Sequence, residues 1–451
     1  MTVDAVTDLL PSPPLAPGLP LLGSALAMRQ DLVAFLVEQY RQLGPIFRVR
    51  ALNQEMVVMA GPEANTFVTK EGTDKFSSYE LWHKFGLEFG AEQHLSAIDG
   101  ENHAQLRKLF KPAYSVSRLL ADIPMLVDIA EAVLNRLPVG EEIPALYLFR
   151  MIVTEQLGRA LANYAPGDNL QYMITSVRFA LNVYVTKQMP NFMLKLPVYQ
   201  RARQHYLKMG QDIVAEHRAT TRTTKDLIDG ILTASQDPAF QEMLSSEEQI
   251  AFASLGPFVA GLDTAANECS FMLYELLKHP SILEQCEAAA DELFSQGLPT
   301  QEQIRGHGVL HSAMMETLRM HSISPVVNRI AAKDFAFAGH QIKKGQNVII
   351  ATTVSHFLPE FYPDPYTFDI ERYSAERKEH KQRGAYAPFG IGTHLCLGAG
   401  AAEAQIVLVL ATLLHSVRLE RVDPQASLRV RNDPAPTFGY SFRVRLREHR
   451  H

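Results

Sequence analysis

The stretch Ala387-Pro388-Phe389-Gly390-Ile391-Gly392-Thr393-His394-Leu395-Cys396-Leu397-Gly398 sets one cysteine among glycines, a combination able to do chemistry. Two glycines, a cysteine and a third glycine two residues later describe a tight backbone loop that presents one sulfur. The apolar run at 399–416 reads as a helix starting near Cys396, whose positive end would favour a thiolate. A thiolate on such a loop is a good axial ligand for haem iron and pushes electron density onto the metal. A lone cysteine also packs well as a small core residue, so the loop by itself leaves both roles open.

Three other constellations bear on the choice. Residues 256–265 read Gly-Pro-Phe-Val-Ala-Gly-Leu-Asp-Thr-Ala inside a helical pattern running from 246 to 279. A proline and two glycines there cost stability and would kink or widen a helix, which implies that something sits against it. Asp263 followed by Thr264 is odd in an apolar stretch, because a buried carboxylate needs a partner; a back-bonded Thr beside a partly exposed Asp is the plain alternative. His103 and Arg107 are four apart and share one helix face, which a solvated surface pair would also explain. Glu316 and Arg319 form an ExxR pair that Glu38/Arg41 and Glu302/Arg305 also match; its place before Ser324-Pro325 and a β-rich stretch sets it apart.

Phe389, Gly390, Gly392, His394, Cys396 and Gly398 together resemble the haem-binding signature of the cytochromes P-450, the haem-thiolate monooxygenases. HxxxR, Ala260-Gly261-Leu262-Asp263-Thr264 and ExxR precede it in the family's order, and the resemblance runs from about Ala27 onward. It implies haem b with Cys396 as axial ligand, held also by Phe389, Gly390 and Gly398 of the loop and by Ala260 and Gly261 of an oxygen-binding groove. His103, Arg107, Arg329 and His394 would address the propionates, and Asp263 and Thr264 would manage protons during O2 activation. Glu316, Arg319 and Arg372 would form a structural clamp, two guanidiniums on one carboxylate. The chain departs from the family in carrying His103 where many members have Trp and Ala265 where a second hydroxyl is common. Ser355-His356-Phe357 also departs from it, with no functional meaning assigned.

The resemblance further implies hydroxylation or epoxidation of a lipophilic molecule. A tentative pocket wall of Trp82, Phe258, Val259, Val326, Val327 and Phe438 favours a terpenoid, steroid, fatty acyl or polyketide-like substrate. No flavin or iron–sulfur segment is left over, so electrons would come from NAD(P)H through a ferredoxin or flavodoxin and its reductase. A peroxide-using or oxygen-independent haem-thiolate enzyme is one alternative, against which Asp263-Thr264 argues; a non-catalytic haem-binding sensor is another.

The elements that must position these residues are mostly helical. Helices are expected over 26–43, from Pro62, and over 103–120, 125–137, 144–162, 169–186, 197–220, 246–279, 307–321 and 399–416. Short strands are expected over 46–50, 56–59, 326–350 and the tail, with an irregular segment over 76–100. Length alone, 451 residues, suggests two or three domains. The resemblance implies one instead, 27–451, mainly α with small antiparallel β-sheets, a triangular prism-like cytochrome P-450 fold behind an extended proline-rich arm at 1–26. Hydrophobic residues at 47% and charged residues at 20% describe a globular protein, and a net charge of -6 gives no sign of nucleic-acid binding. Three cysteines make no disulfide framework. With no uninterrupted apolar run of about twenty residues, a soluble protein without a transmembrane anchor is expected; a cytoplasmic monomer is the further expectation.

Overall fold

Period-two alternation builds the largest sheet of the protein, whose computed structural model describes residues 10–220, 225–306 and 308–450. Asp4 and Asp8 of the arm, and His307 at the expected start of a helix, lie outside the described residues. The chain forms two compact units: Met1–Trp82, Ser96–His103 and Ser324–Cys396 make the first, and His83–Leu95, Ala104–Ile323 and Leu397–His451 the second.

In the first unit the Ile46–Ala51 and Gln54–Ala60 strands form an antiparallel hairpin. The Asn347–Ala351, Val327–Ala331 and Phe76–Ser77 strands extend it into five. Alternation divides the apolar residues between two faces. Phe47, Val49 and Val58 pack with Leu36 and Val37 of the Leu32–Leu43 helix. Ile46, Val57 and Met59 pack with Ala64 and Val68 of the Gly61–Glu71 helix. The sheet is mixed: Gln54–Ala60 pairs in parallel with Asn347–Ala351, which corrects the expectation of antiparallel sheets alone. The arm lies along this sheet, where the Pro13 carbonyl accepts from Arg48 Nε at 2.8 Å. The helix expected over 26–43 breaks at Asp31, whose side chain accepts the Ala34 N–H at 2.9 Å and caps Leu32–Leu43. Residues 76–100 contain a helix, Tyr79–Glu88, that aromatic crowding concealed in the sequence.

The second unit is built on the Gly256–Lys278 helix, buried without interruption from Ala265 to Leu276. A Cβ at Gly261 would come within 2.4 Å of Leu157 Cδ1, so glycine lets the Ala145–Ala162 helix approach closely. The single helix expected over 246–279 is two. Ser246 and Gln249 form a reciprocal cap on Glu247–Ser254, and Pro257 opens the next helix. Pro at a first helical turn loses no hydrogen bond, which is why it starts a helix here instead of kinking one. Pro280 likewise opens Pro280–Phe294, a helix that its sequence pattern had not disclosed. Among the described residues one stretch, Gly392–Ser416, which contains the Ala399–Ser416 helix, is long and apolar enough to cross a membrane, but 61% of its apolar window is buried inside the protein. Core packing accounts for that composition.

Glu316 and Arg319 are fully buried on the Val309–Met320 helix, with Arg319 Nε 2.7 Å from Glu316 Oε2 and Nη2 2.8 Å from Oε1. Replacing Arg319 by Ala would leave a carboxylate in the core. The expected loss is about 3–5 kcal/mol of unfolding free energy. Urea denaturation measures it, and a loss below about 1 kcal/mol would show that the pair does not hold this core.

Candidate functional site

Cys396 is exposed, whereas Cys269 and Cys286 are buried. Burial pushes the Cys286 thiol up to about 12 and the Cys269 thiol well above its ordinary value, so neither is suited to act as a thiolate. The Cys396 N–H donates to the Phe389 carbonyl at 3.0 Å and closes the loop. Gly390 and Gly392 have φ of 76° and 71°, the left-handed region where a Cβ is strained. Gly392 is also close-packed: a Cβ there would lie 3.3 Å from the Val68 carbonyl oxygen. The following helix, Ala399–Ser416, begins three residues after the sulfur, not at it, with Gly398 as its cap.

The loop's first residues are held from outside it. The Ala387 N–H donates to Nε2 of His356 at 2.9 Å, and His356 is fully buried with its ring 5.4 Å from that of Tyr386. An accepting Nε2 fixes His356 as the neutral tautomer with its proton on Nδ1. Asn65 Nδ2 donates to the carbonyls of Thr352 at 2.8 Å and Gly384 at 3.0 Å. His356 looked like a departure without meaning; its purpose depends on a neighbour 31 positions away.

Beside the loop stands a set of charged groups. Asp99 Oδ1 accepts from His394 Nε2 at 2.9 Å, and its Oδ2 accepts from Ser77 Oγ at 2.8 Å and the Ser78 N–H at 2.9 Å. Burial alone would raise the Asp99 carboxyl, but the bonds from His394, Ser78 and Ser77 outweigh it and hold the carboxyl below its ordinary value. The His103 ring, on the Gly100–Phe110 helix, lies 4.1 Å from the His394 ring. Arg107 is half-buried one turn further along that helix. Arg329, on the Val327–Ala331 strand, donates to the Asn328 carbonyl at 2.7 Å and forms no ion pair among the described residues. Burial pushes its guanidinium down to about 10, against the opposing attraction of Asp99. Arg329 and His394 line a small cavity together with Val68, Phe76, Val327, Ile350 and Ile391.

In the helical unit, Ala260 and Thr264 are exposed one turn apart, while Phe258, Leu262 and Ala265 beside them are buried. The Thr264 hydroxyl donates to the Ala260 carbonyl at 2.7 Å, and Asn267 Nδ2 donates to the Asp263 carbonyl at 2.8 Å. The Asp263 carboxylate has a partner that the sequence did not name. Arg150, buried on the Ala145–Ala162 helix, reaches Asp263 Oδ1 with Nε at 2.7 Å and Nη2 at 2.6 Å. Its Nη1 donates to the Tyr440 hydroxyl at 3.2 Å. An arginine inside an apolar helix was the available signal, because such a charge must meet an anion.

The remaining expected site residues divide by burial. Phe258 is fully buried, and Phe438 packs with ring centroids 4.7 Å from Phe271 and 4.6 Å from Tyr274. Trp82, Val259 and Val326 are half-buried. The Arg372 guanidinium is fully buried and donates to Glu379 Oε2 at 2.9 Å and to the Pro363 and Asp364 carbonyls at 2.7 and 2.9 Å. These partners come from its own loop segment, where the sequence suggested none.

The family model of cytochrome P-450 matches residues 13–434. Relatives include an abscisic acid 8'-hydroxylase of Solanum lycopersicum, 27% identical over 96% of this chain and 90% of its own. A sterol 14alpha-demethylase of Mycolicibacterium vanbaalenii is 24% identical over 88% of this chain and 89% of its own. A cyclooctat-9-en-7-ol 5-monooxygenase of Streptomyces melanosporofaciens is 25% identical over 73% of each. Among solved structures, a retinoic acid-bound cyanobacterial CYP120A1 superposes with a TM-score of 0.82 at 23% identity, covering 98% of this chain and 100% of that one. A cytochrome P-450DA heme domain also gives 0.82, at 20% identity over 97% and 98%. At such identities the structural likeness speaks for the fold.

Asp99 makes the stability of this region pH-dependent. Its folded-state carboxyl titrates below the ordinary 3.8, so over that range the unfolded chain binds more protons than the folded one. The stabilisation is therefore present above about pH 4 and is lost as the pH falls through the folded value. Urea midpoints measured across this range should fall less steeply for Asp99→Asn than for the native protein; identical slopes would contradict the assignment.

Proposed function

The chain belongs to the cytochrome P-450 family and is a monooxygenase of that family, and from this premise we propose that Cys396 is the axial ligand of its haem. The observation that carries the reading is an exposed thiol on a backbone-closed loop in the same unit as Arg329, a guanidinium with no ion pair among the described residues. The residues present fit an anionic haem. Half-buried Arg329 has no ion pair among the described residues, and a guanidinium so placed calls for an anion such as a propionate. His394, His103 and Arg107 are proposed for the same edge. Haem b bound through this sulfur would supply reductive activation of O2 and transfer of one oxygen atom to the substrate.

The protein's own part is positioning and proton supply. Exposed Ala260 and Thr264 leave an open strip on a largely buried helix, as a groove for a small ligand requires. Arg150 fixes the direction of the Asp263 carboxylate, and Tyr440, about half exposed, connects that pair toward solvent. Thr264, held by the Ala260 carbonyl, would pass protons that Asp263 relays.

For substrate we propose a lipophilic terpenoid, steroid, fatty acyl or polyketide-like molecule. The apolar candidate walls support this, as do relatives named for abscisic acid, a sterol and cyclooctat-9-en-7-ol. Electrons are proposed to come from NAD(P)H through a ferredoxin or flavodoxin and its reductase, to a cytoplasmic monomer.

The ligand assignment is tested spectroscopically. The reduced, carbon-monoxide-bound protein should show the red-shifted Soret band of a thiolate ligand, and Cys396→Ser should abolish it; a retained band sinks the assignment. With surrogate redox partners, NAD(P)H and O2, Thr264→Ala should lower product formed per NAD(P)H several-fold and release peroxide instead. Unchanged coupling would remove Thr264 from proton delivery, and native turnover with peroxide alone would favour a peroxide-using enzyme.

A further inference from the structure

Asp99 stands immediately ahead of the Gly100–Phe110 helix. Its two oxygens are both engaged, one by His394 and the other by Ser77 and Ser78, so the carboxylate is fixed from two sides. Fixed in this way it attracts Arg329 electrostatically without forming an ion pair with it, and the guanidinium stays available to a second anion. It also occupies Nε2 of His394, which leaves Nδ1 as the ring nitrogen able to meet another group. His394 precedes Cys396 by two positions in a loop closed by the Phe389 carbonyl. Orienting the ring therefore steadies the segment that carries the sulfur.

A fixed anion at this edge also has an electrostatic consequence. Negative charge near a redox centre stabilises its more positive, oxidised form, and the effect is large where water is partly excluded. Asp99 is such a charge, with a side chain only 28% exposed. Its neighbours Arg329 and His394 are the groups that the haem reading directs to the propionates.

We propose that Asp99 is a positioning residue for the haem, one that orients His394 and whose negative charge lowers the reduction potential of the iron held by Cys396. The proposal rests on the assignment of Cys396 as ligand, and the experiment separates the two. The midpoint potential of the haem-loaded protein is measured by spectroelectrochemistry, alongside the carbon-monoxide spectrum of each variant. Asp99→Asn should shift the potential to a more positive value while keeping the thiolate Soret band. Asp99→Glu, which restores the charge, should return the potential toward native. Ser77→Ala removes a neutral hydrogen bond to Asp99 and no charge, and should leave the potential where it is. If Asp99→Asn does not retain haem, Asp99→Ser serves for the same reading. An unmoved potential in a neutral variant that keeps the Soret band overturns the role of Asp99 and leaves Cys396 standing. An equal shift in Ser77→Ala overturns the charge effect in favour of a hydrogen-bond effect. A native protein without the band overturns the haem reading and this proposal with it.

Discussion

The hydrogen bond from the Cys396 amide to the Phe389 carbonyl is the constraint on which the candidate site depends. To close that loop the backbone must pass through left-handed conformations at Gly390 and Gly392, which only glycine adopts without strain. The loop also rests against the Gly61–Glu71 helix, where a Cβ at Gly392 would press to 3.3 Å from the Val68 carbonyl oxygen. Its entrance is fixed by the buried His356 imidazole and by Asn65, which satisfy backbone groups that a buried loop would otherwise strand. A sulfur held this way loses little freedom when it meets a ligand, and that is the advantage of a preorganised site.

Charge is used in two distinct ways in this protein. Glu316–Arg319 and Arg372–Glu379 are buried and matched, each guanidinium satisfied by a carboxylate with good geometry. Such pairs gain little net stability over apolar packing but are costly to break, so they hold their surroundings to one arrangement. Arg329 is treated differently. It is half-buried, its guanidinium is destabilised by that burial, and the nearby carboxylate of Asp99 is committed to His394 and the serines. It is this incompletely matched cation that the proposed function assigns to an anion from outside the chain.

Asp263 sits between these cases. Arg150 pairs with it closely, yet Asp263 keeps 21% of its side chain exposed and Arg150 continues to the surface-facing Tyr440. The Gly256-Pro257 start of the helix has a related consequence. Because the proline opens the helix instead of interrupting it, the run through Thr264 stays regular, with Ala260 and Thr264 on one exposed strip.

Much of this was legible from residue types and spacing. The tight cysteine loop, the Asp263-Thr264 pair, the ExxR helix and the Ala399–Ser416 helix all rest on local patterns, and local patterns are what a sequence carries directly. Proline misled where its position within a helix mattered: the same residue kinks an interior and starts a first turn, and only neighbouring caps distinguish the two. The parallel pairing of Gln54–Ala60 with Asn347–Ala351 could not be read at all, since the two strands lie nearly three hundred residues apart. The sequence by itself determined which side chains are chemically able to act, above all Cys396 and its glycines, because their identities and spacing suffice to specify a tight loop around a sulfur. Tertiary structure alone decided their partners. Arg150 for Asp263, Asp99 for His394 and His356 for the loop backbone are contacts between distant segments, and a buried charge or imidazole acquires its function from whatever the fold brings against it.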